Sequence, residues 1–224
     1  IGAVPSTIAA LIAEGEAEDL GIHSEMFTTG LMRLHEAGRV SNRKGCFDGF
    51  SVSTFALGTR ELYEWLDGND EVAFLPVDVV NSPERIAANR RMISINAALA
   101  VDVHGQVVAD TIAARQYSGI GGHEDFAAGA GLELEDRSLL CMPSTVELDG
   151  QVRSRIVPWF ERGAVITTPR HQVDVIVTEH GAAELAGKTV RQRGLELARI
   201  AHPDFRDELV EAAERASKGN PPFP

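Results

Sequence analysis

The sequence predicts an α/β protein, a layered αβα arrangement around a mostly parallel mixed sheet. Three observations predict it. Short β-branched runs alternate with helical stretches along the 224 residues. No internal repeat of fixed period is visible. Hydrophobic residues make up 44% and charged residues 24%, the usage of an ordinary globular chain long enough to bury a sizeable core. No linker composition stands out, so residues 1–224 are expected to form a single domain.

Each element has its own signal. Pro5 to Glu14 reads as a helix with proline in its first turn. Residues 25–37 read as a second helix, because Met26, Leu31, Leu34 and Ala37 fall on one stripe. Ser51 to Leu57 reads as a strand, and Arg60 to Leu66 as a short helix closed by Asp67-Gly68. Glu71 to Val77 is a further strand, closed by Pro76, before the turn Asn81-Ser82-Pro83 and a helix over Glu84 to Arg91. Apolar residues then alternate at period two from Ile93 to Val103, a strand that turns at His104-Gly105 and returns through Gln106-Val107-Val108. Residues 117–131 are dense in glycine. Strands are expected at 138–142, 153–157, 164–167 and 173–178, and helices at 182–186, 188–199 and 203–217. The tail Pro221 to Pro224 reads as extended.

Charge and cysteine usage narrow the function. The formal net charge is −12, and a surface this acidic repels phosphate backbones, so no nucleic-acid partner is expected. A local basic pocket for one phosphorylated cofactor remains compatible with it. Cys46 and Cys141 form no Cys-x-x-Cys pair, and no Cys/His cluster has zinc spacing, so no metal is expected. Cys141 reads as a buried strand residue and Cys46 as part of an exposed turn. Two unpaired cysteines suit a reducing, cytoplasmic compartment. No apolar run approaches the roughly 20 residues of a membrane span, and no signal segment opens the chain. The first residue is Ile1 rather than Met, so the chain is expected to be trimmed or the later part of a longer polypeptide.

Candidate chemistry begins at His23-Ser24-Glu25. An imidazole, a hydroxyl and a carboxylate in sequence suggest a nucleophilic triad, but triad members normally meet across the fold. On residue type alone Glu25 reads as a first-turn helix glutamate or the partner of a capping Ser or Thr. The segment Ser118-Gly119-Ile120-Gly121-Gly122-His123 has two readings of equal standing. Its amides can converge on an anion or an oxyanion, or the glycines can serve a tight turn. It has neither dinucleotide spacing nor the Lys-Ser or Lys-Thr of a P-loop. The other histidines, among them His171, His180 and His202, read as solvated or hydrogen-bonded. Trp65 and Trp159 read as core anchors, and the charges of 203–215 as a solvated helix face.

Seven strings in order carry a resemblance. They are Leu20-Gly21-Ile22-His23-Ser24-Glu25-Met26, Pro76-Val77-Asp78-Val79-Val80-Asn81-Ser82-Pro83 and Ile93-Ser94-Ile95-Asn96-Ala97-Ala98-Leu99. Further on come Tyr117-Ser118-Gly119-Ile120-Gly121-Gly122, Ser154-Arg155-Ile156-Val157-Pro158, Val177-Thr178-Glu179-His180-Gly181 and Ile200-Ala201-His202-Pro203-Asp204-Phe205-Arg206. From about Ile1 to about Leu209 the chain resembles the C-terminal domain of the acetyl-CoA hydrolase/transferase family. That resemblance implies a CoA-transferase type of α/β fold. It also implies an enzyme that moves CoA between an acyl-CoA and a short-chain carboxylate through a covalent glutamyl-CoA thioester.

The family's nucleophilic glutamate maps onto Glu25. Its oxyanion donors map onto the Gly119, Gly121 and Gly122 amides and an asparagine side chain, placed at Asn81 with Asn96 as the alternative. CoA enters as substrate, and no cofactor is implied. Family members have two similar α/β halves, so this chain is expected to be the C-terminal catalytic domain, with the N-terminal half absent and acting as its partner. A homo-oligomer is also implied. Two positions depart from the family pattern: His180 stands where Tyr is usual, and His123 where a small or amide residue is usual. Transfer to a carboxylate is favoured over transfer to water. Hydrolysis by the same glutamate and a non-catalytic CoA- or partner-binding domain are the alternatives.

Overall fold

Helix-capping residues and turn glycines set the boundaries of the elements in the computed structural model, which describes residues 3–112 and 115–218. The tail expected at Pro221 to Pro224 lies outside them. The chain divides into two compact units, one running to Ser94 and taking back Ala128–Asp136, the other made of Ile95–Ala127 and Arg137 onward.

In the first unit the helix Ala3–Glu14 packs on the helix Thr29–Glu36 at Gly30, where a Cβ would strike the Ser6 carbonyl oxygen. Thr28 caps the second helix by accepting from Leu31 N. The helix expected from residue 25 therefore begins four residues later. Met26–Thr28 is instead a strand, paired in parallel with Phe55–Leu57. Pairing to a neighbour overrides the helical spacing of Met26. Ser51–Ser53 pairs in parallel with Val72–Phe74, so the single strand expected over 51–57 is two, broken at Thr54. The strand expected over Glu71 to Val77 is correspondingly shorter, and Val77–Val80 is a helical turn. Helix Arg60–Leu66 falls where the sequence puts it, capped by Thr59 and followed by Gly68 at φ +70°. Pro83–Ala87 follows as a one-turn helix with Pro83 in its first turn. Phe27, Met32 and Leu62, all fully or almost fully buried, form the core with Ile22. Trp65 stacks on Phe27 at 5.9 Å between ring centroids.

The second unit holds a sheet in the order Gly181–Glu184, Val175–Thr178, Arg137–Cys141 and Ile93–Ala97, whose last three residues belong to this unit. Arg137–Cys141 and Val175–Thr178 run parallel, and Gly181–Glu184 returns antiparallel. That last strand corrects the helix expected at 182–186. Its alanines favour a helix in isolation, but Ala183 is fully buried between exposed neighbours, a period of two. A three-stranded sheet runs Ile156–Val157, Ala100–Asp102, Val107–Val108, with the hairpin turning at Gly105 (φ +86°) as the sequence predicts. Residues 164–167 form no strand; Thr168 makes an isolated antiparallel bridge to Val107. Thr145–Leu148 and Gln151–Ser154 form a separate hairpin.

Helix Val190–Arg199 starts with a Thr189/Gln192 capping box and packs against helix Arg206–Ser217. Leu140, Ile156, Ile176, Leu185, Leu197, Ile200 and Leu209 are essentially fully buried in this core, with Trp159 at its margin. Burying each such side chain contributes about 1.5–3 kcal/mol. The fold is thus α/β with parallel and antiparallel pairs, its strands falling into six small sheets among the described residues.

Candidate active site

The segment around Glu25 is extended and lies alongside residues 52–57. His23 bridges Val52 in parallel, and Met26 pairs with Phe55. Between these pairs the ladder is locally replaced at Glu25. Thr54 N and Thr54 Oγ1 both donate to the Glu25 carbonyl at 2.8 Å, across a separation of 29 residues. Ser53 Oγ donates to the Ser24 carbonyl at 2.7 Å. Two hydroxyls thus clamp the carbonyls on either side of the Glu25 Cα, and Glu25 sits at a bend rather than in a helix. The capping reading of Glu25 is overturned: Thr28 caps the nearest helix.

The Glu25 carboxylate meets Asn81, whose Nδ2 donates to Glu25 Oε2 at 2.8 Å. Asn81 is 8% exposed and closes the helical turn Val77–Val80, its own N–H donating to the Val77 carbonyl. Its φ of −87° and ψ of 7° fall in the bridge region. Ser82 and Pro83 begin the next helix at once, so the asparagine is held between two helical turns.

His23 locks the same junction from below. Its Nε2 lies 2.7 Å from the Val80 carbonyl, which can only accept, so Nε2 carries the proton. Burial holds the imidazole below its ordinary range and therefore uncharged. Nδ1 is then the acceptor facing the Asn89 amide at 2.9 Å. Asn89 also donates to the Arg85 and Ile86 carbonyls. The Phe47 ring meets His23 edge-on at 6.0 Å and carries the Arg85 guanidinium over its face at 5.5 Å. Each member of the apparent triad has its own partner, since Ser24 Oγ donates to the Met26 carbonyl.

The remaining candidates lie in the second unit. Gly119 and Gly121 are exposed, Gly121 at φ +56°, and a Cβ at Gly119 would meet nothing within 4 Å. Gly122 is buried, and its carbonyl accepts from Phe126 N in the helix His123–Gly129. Asn96 is buried in the strand Ile93–Ala97. Of the predicted residues, Glu25 and Asn81 are in contact. Asn89 and Thr54 carry no sequence signal as partners of this string; a lone asparagine 66 residues from His23 is visible only once the chain is folded.

A family profile described as "Acetyl-CoA hydrolase/transferase C-terminal domain" matches residues 58–213. The chain belongs to the acetyl-CoA hydrolase/transferase family. The matched range holds Asn81 and the glycine segment, whereas Glu25 precedes it. The chain is 44% identical over 211 residues to the 4-hydroxybutyrate coenzyme A transferase of Clostridium kluyveri, covering 94% of this chain and 48% of that one. It is 42% identical over 218 residues to the succinyl-CoA:cyclohexane-1-carboxylate CoA transferase of Geobacter metallireducens, covering 97% and 49%. The crystal structure of RipA from Yersinia pestis superimposes with a TM-score of 0.88 at 41% identity, over 97% of this chain and 48% of that one. The chain therefore spans about half the length of the acetyl-CoA hydrolase/transferase family members it matches. No described helix is long and apolar enough to cross a membrane.

Proposed function

We propose that the full-length protein transfers CoA between a short-chain acyl-CoA and a small carboxylic acid, with Glu25 as the covalent nucleophile. The observation that carries the reading is the Asn81 amide hydrogen bond to the Glu25 carboxylate, in a backbone clamped by Ser53 and Thr54.

A Glu25 oxygen attacks the thioester carbonyl, the C–S bond breaks, and CoA leaves as a thiolate. The resulting mixed anhydride is then attacked by that thiolate at the glutamyl carbonyl. The original acid departs as its carboxylate, leaving a Glu25–CoA thioester. An incoming carboxylate reverses both steps and leaves as the new acyl-CoA. A carboxylate is a weak nucleophile, so each tetrahedral oxyanion needs fixed donors. Asn81 Nδ2 is already aimed at a reacting oxygen, and the Gly119, Gly121 and Gly122 amides are assigned as the backbone donors. One such donor is worth about 3–4 kcal/mol of barrier stabilisation. The polar ends of CoA, remote from the reaction, supply binding energy for the chemical step. CoA itself is substrate, and no resident cofactor enters the scheme. The other half found in relatives is assigned as a partner of this chain.

Intact mass spectrometry of the full-length protein, incubated with acetyl-CoA and no acceptor acid, tests the reading. One CoA attached to the peptide containing His23 to Met26 is expected. An adduct elsewhere, or full activity in Glu25→Ala, overturns it. If water replaces the second carboxylate the enzyme is a hydrolase, and the adduct then decays without acceptor instead of persisting.

A further inference from the structure

Both ends of the Gly119–Gly122 segment are fastened to one dipeptide, Thr167-Thr168. The Thr167 backbone N–H donates to the Val107 carbonyl at 2.8 Å, and Thr168 pairs with Val107 in both directions. The two hydroxyls serve different partners, Thr167 those at Ala109 and Asp110 and Thr168 those at His123 and Glu124. Thr167 is 8% exposed and Thr168 fully buried, which makes each hydroxyl an obligatory hydrogen-bonding group.

Thr167 serves the entry to the loop. Its Oγ1 donates to Asp110 Oδ1 at 2.5 Å and accepts from Ala109 N at 2.8 Å. Asp110 in turn holds the chain just before the glycines. Its carbonyl accepts from Tyr117 N at 2.8 Å and Ser118 N at 3.1 Å, and its Oδ2 accepts from Gln116 Nε2 at 3.2 Å. The Thr167 hydroxyl, first among several donors, holds the Asp110 carboxyl below its ordinary range.

Thr168 serves the exit. Its Oγ1 lies 2.8 Å from His123 Nε2 and 2.5 Å from Glu124 Oε1. A hydroxyl has one hydrogen and cannot donate to both. The partner it does not serve must itself donate to Oγ1, so the three groups form a directed chain rather than two independent bonds. Between these two anchors Gly119 and Gly121 are exposed.

We infer that Thr167 and Thr168 are positioning residues of the proposed reaction, setting the two ends of the glycine loop to which the proposed function assigns the backbone donors. The inference rests on the reading of that loop as an oxyanion donor. Its consequence is that loss of either hydroxyl loosens only its own end. The reporters are the amides of Tyr117 and Ser118 for the entry, and that of Phe126, bonded to the Gly122 carbonyl, for the exit.

The test uses Thr167→Val and Thr168→Val, each with its Ser counterpart, in the full-length protein. Amide hydrogen exchange, kcat and KM are measured on all four. Thr167→Val is expected to speed exchange at Tyr117 and Ser118 about fivefold or more, the worth of one buried hydrogen bond, and to leave Phe126 unchanged. Thr168→Val is expected to do the reverse. Both valines lower kcat by about tenfold to a hundredfold, as misplacement of a catalytic group does, with KM for acyl-CoA little changed; both serines restore it. Unchanged exchange at the paired amides, or uniform speeding at both ends, overturns the inference. Loosened ends with parental kcat uphold the anchoring but remove the loop from the chemistry, which overturns both the positioning role and the oxyanion reading. If a valine variant does not fold, His123→Gln and Gln116→Ala, which alter one partner at each end, decide the question by the same exchange pattern.

Discussion

Asn81 and Glu25 meet across 56 residues of sequence through one N–H···O bond of 2.8 Å, and the residue before Asn81 accepts from the histidine two residues before Glu25. Two side chains of one extended segment therefore grip two consecutive residues of one helix end. The amide's orientation toward the carboxylate is set by this double attachment.

Removing the amide should cost the chemistry more than the fold. Asn81→Ala in the full-length protein is expected to lower kcat about 10²–10³-fold, the worth of one oxyanion donor, with KM much less affected. Asn81→Asp places a second carboxylate against Glu25, and like charges at that range raise one of the two pKa values. The acidic limb of its pH–rate profile should move upward. Steady-state kinetics over pH check both; parental kcat in Asn81→Ala would remove the asparagine from the reaction.

His123 predicts a pH dependence of stability. Burial holds its pKa at about 4 against an ordinary 6.5. Between those values the unfolded chain takes up a proton that the folded chain refuses. The contribution is complete above pH 6.5 and is lost as the pH falls toward 4, at most about 3 kcal/mol in all. Burial of His23 acts in the same direction. His123→Gln should show a flatter decline of the urea midpoint over that range than the parent, and parallel declines would mean the ring is charged in the folded protein.

Gly121→Val separates a turn from a binding loop. Its φ of +56° is strained for any β-branched residue, at about 1–2 kcal/mol, while its exposure leaves room for the side chain. The melting temperature should fall by only a few degrees. The proposed function requires a much larger drop in kcat, and an undiminished kcat would reduce the loop to a connection.

Gly194 tests the core of the second unit. A Cβ there would come within 2.5 Å of the Ala213 Cβ, where two helices cross. Gly194→Ala is expected to destabilise by about 1–3 kcal/mol through overpacking. Gly187→Ala, in open space at φ +70°, should cost only the backbone term of about 1 kcal/mol. Chemical denaturation of the two variants compares them; equal losses would mean the helices separate freely.

Local chemistry was legible where it acts alone. Asp67-Gly68 announces the end of the helix Arg60–Leu66, and Gly105 announces its hairpin, because few other residues tolerate the backbone that Gly68 and Gly105 adopt. Gly181–Glu184 misleads because its alanines state a helical preference that pairing with Val175–Thr178 outweighs. Glu25 misleads in the same way: its place beside a hydroxyl resembles a cap, yet its position is decided by Thr54 and Asn81, far along the chain. The family strings single out Glu25 and Asn81, but nothing local in them names Asn89, Thr167 or Thr168 as partners.

The parallel pairings on either side of Glu25 share one register, His23 with Val52 and Met26 with Phe55. This makes the acidic side chain non-transposable. Sliding it to position 24 or 26 would turn it to the opposite side of the ribbon, away from Asn81, and at 26 would lodge it where a methionine is buried. A designer wishing to relocate the carboxylate would have to re-register two strands at once, so the segment offers no gradual route by which the acid could migrate along its own chain.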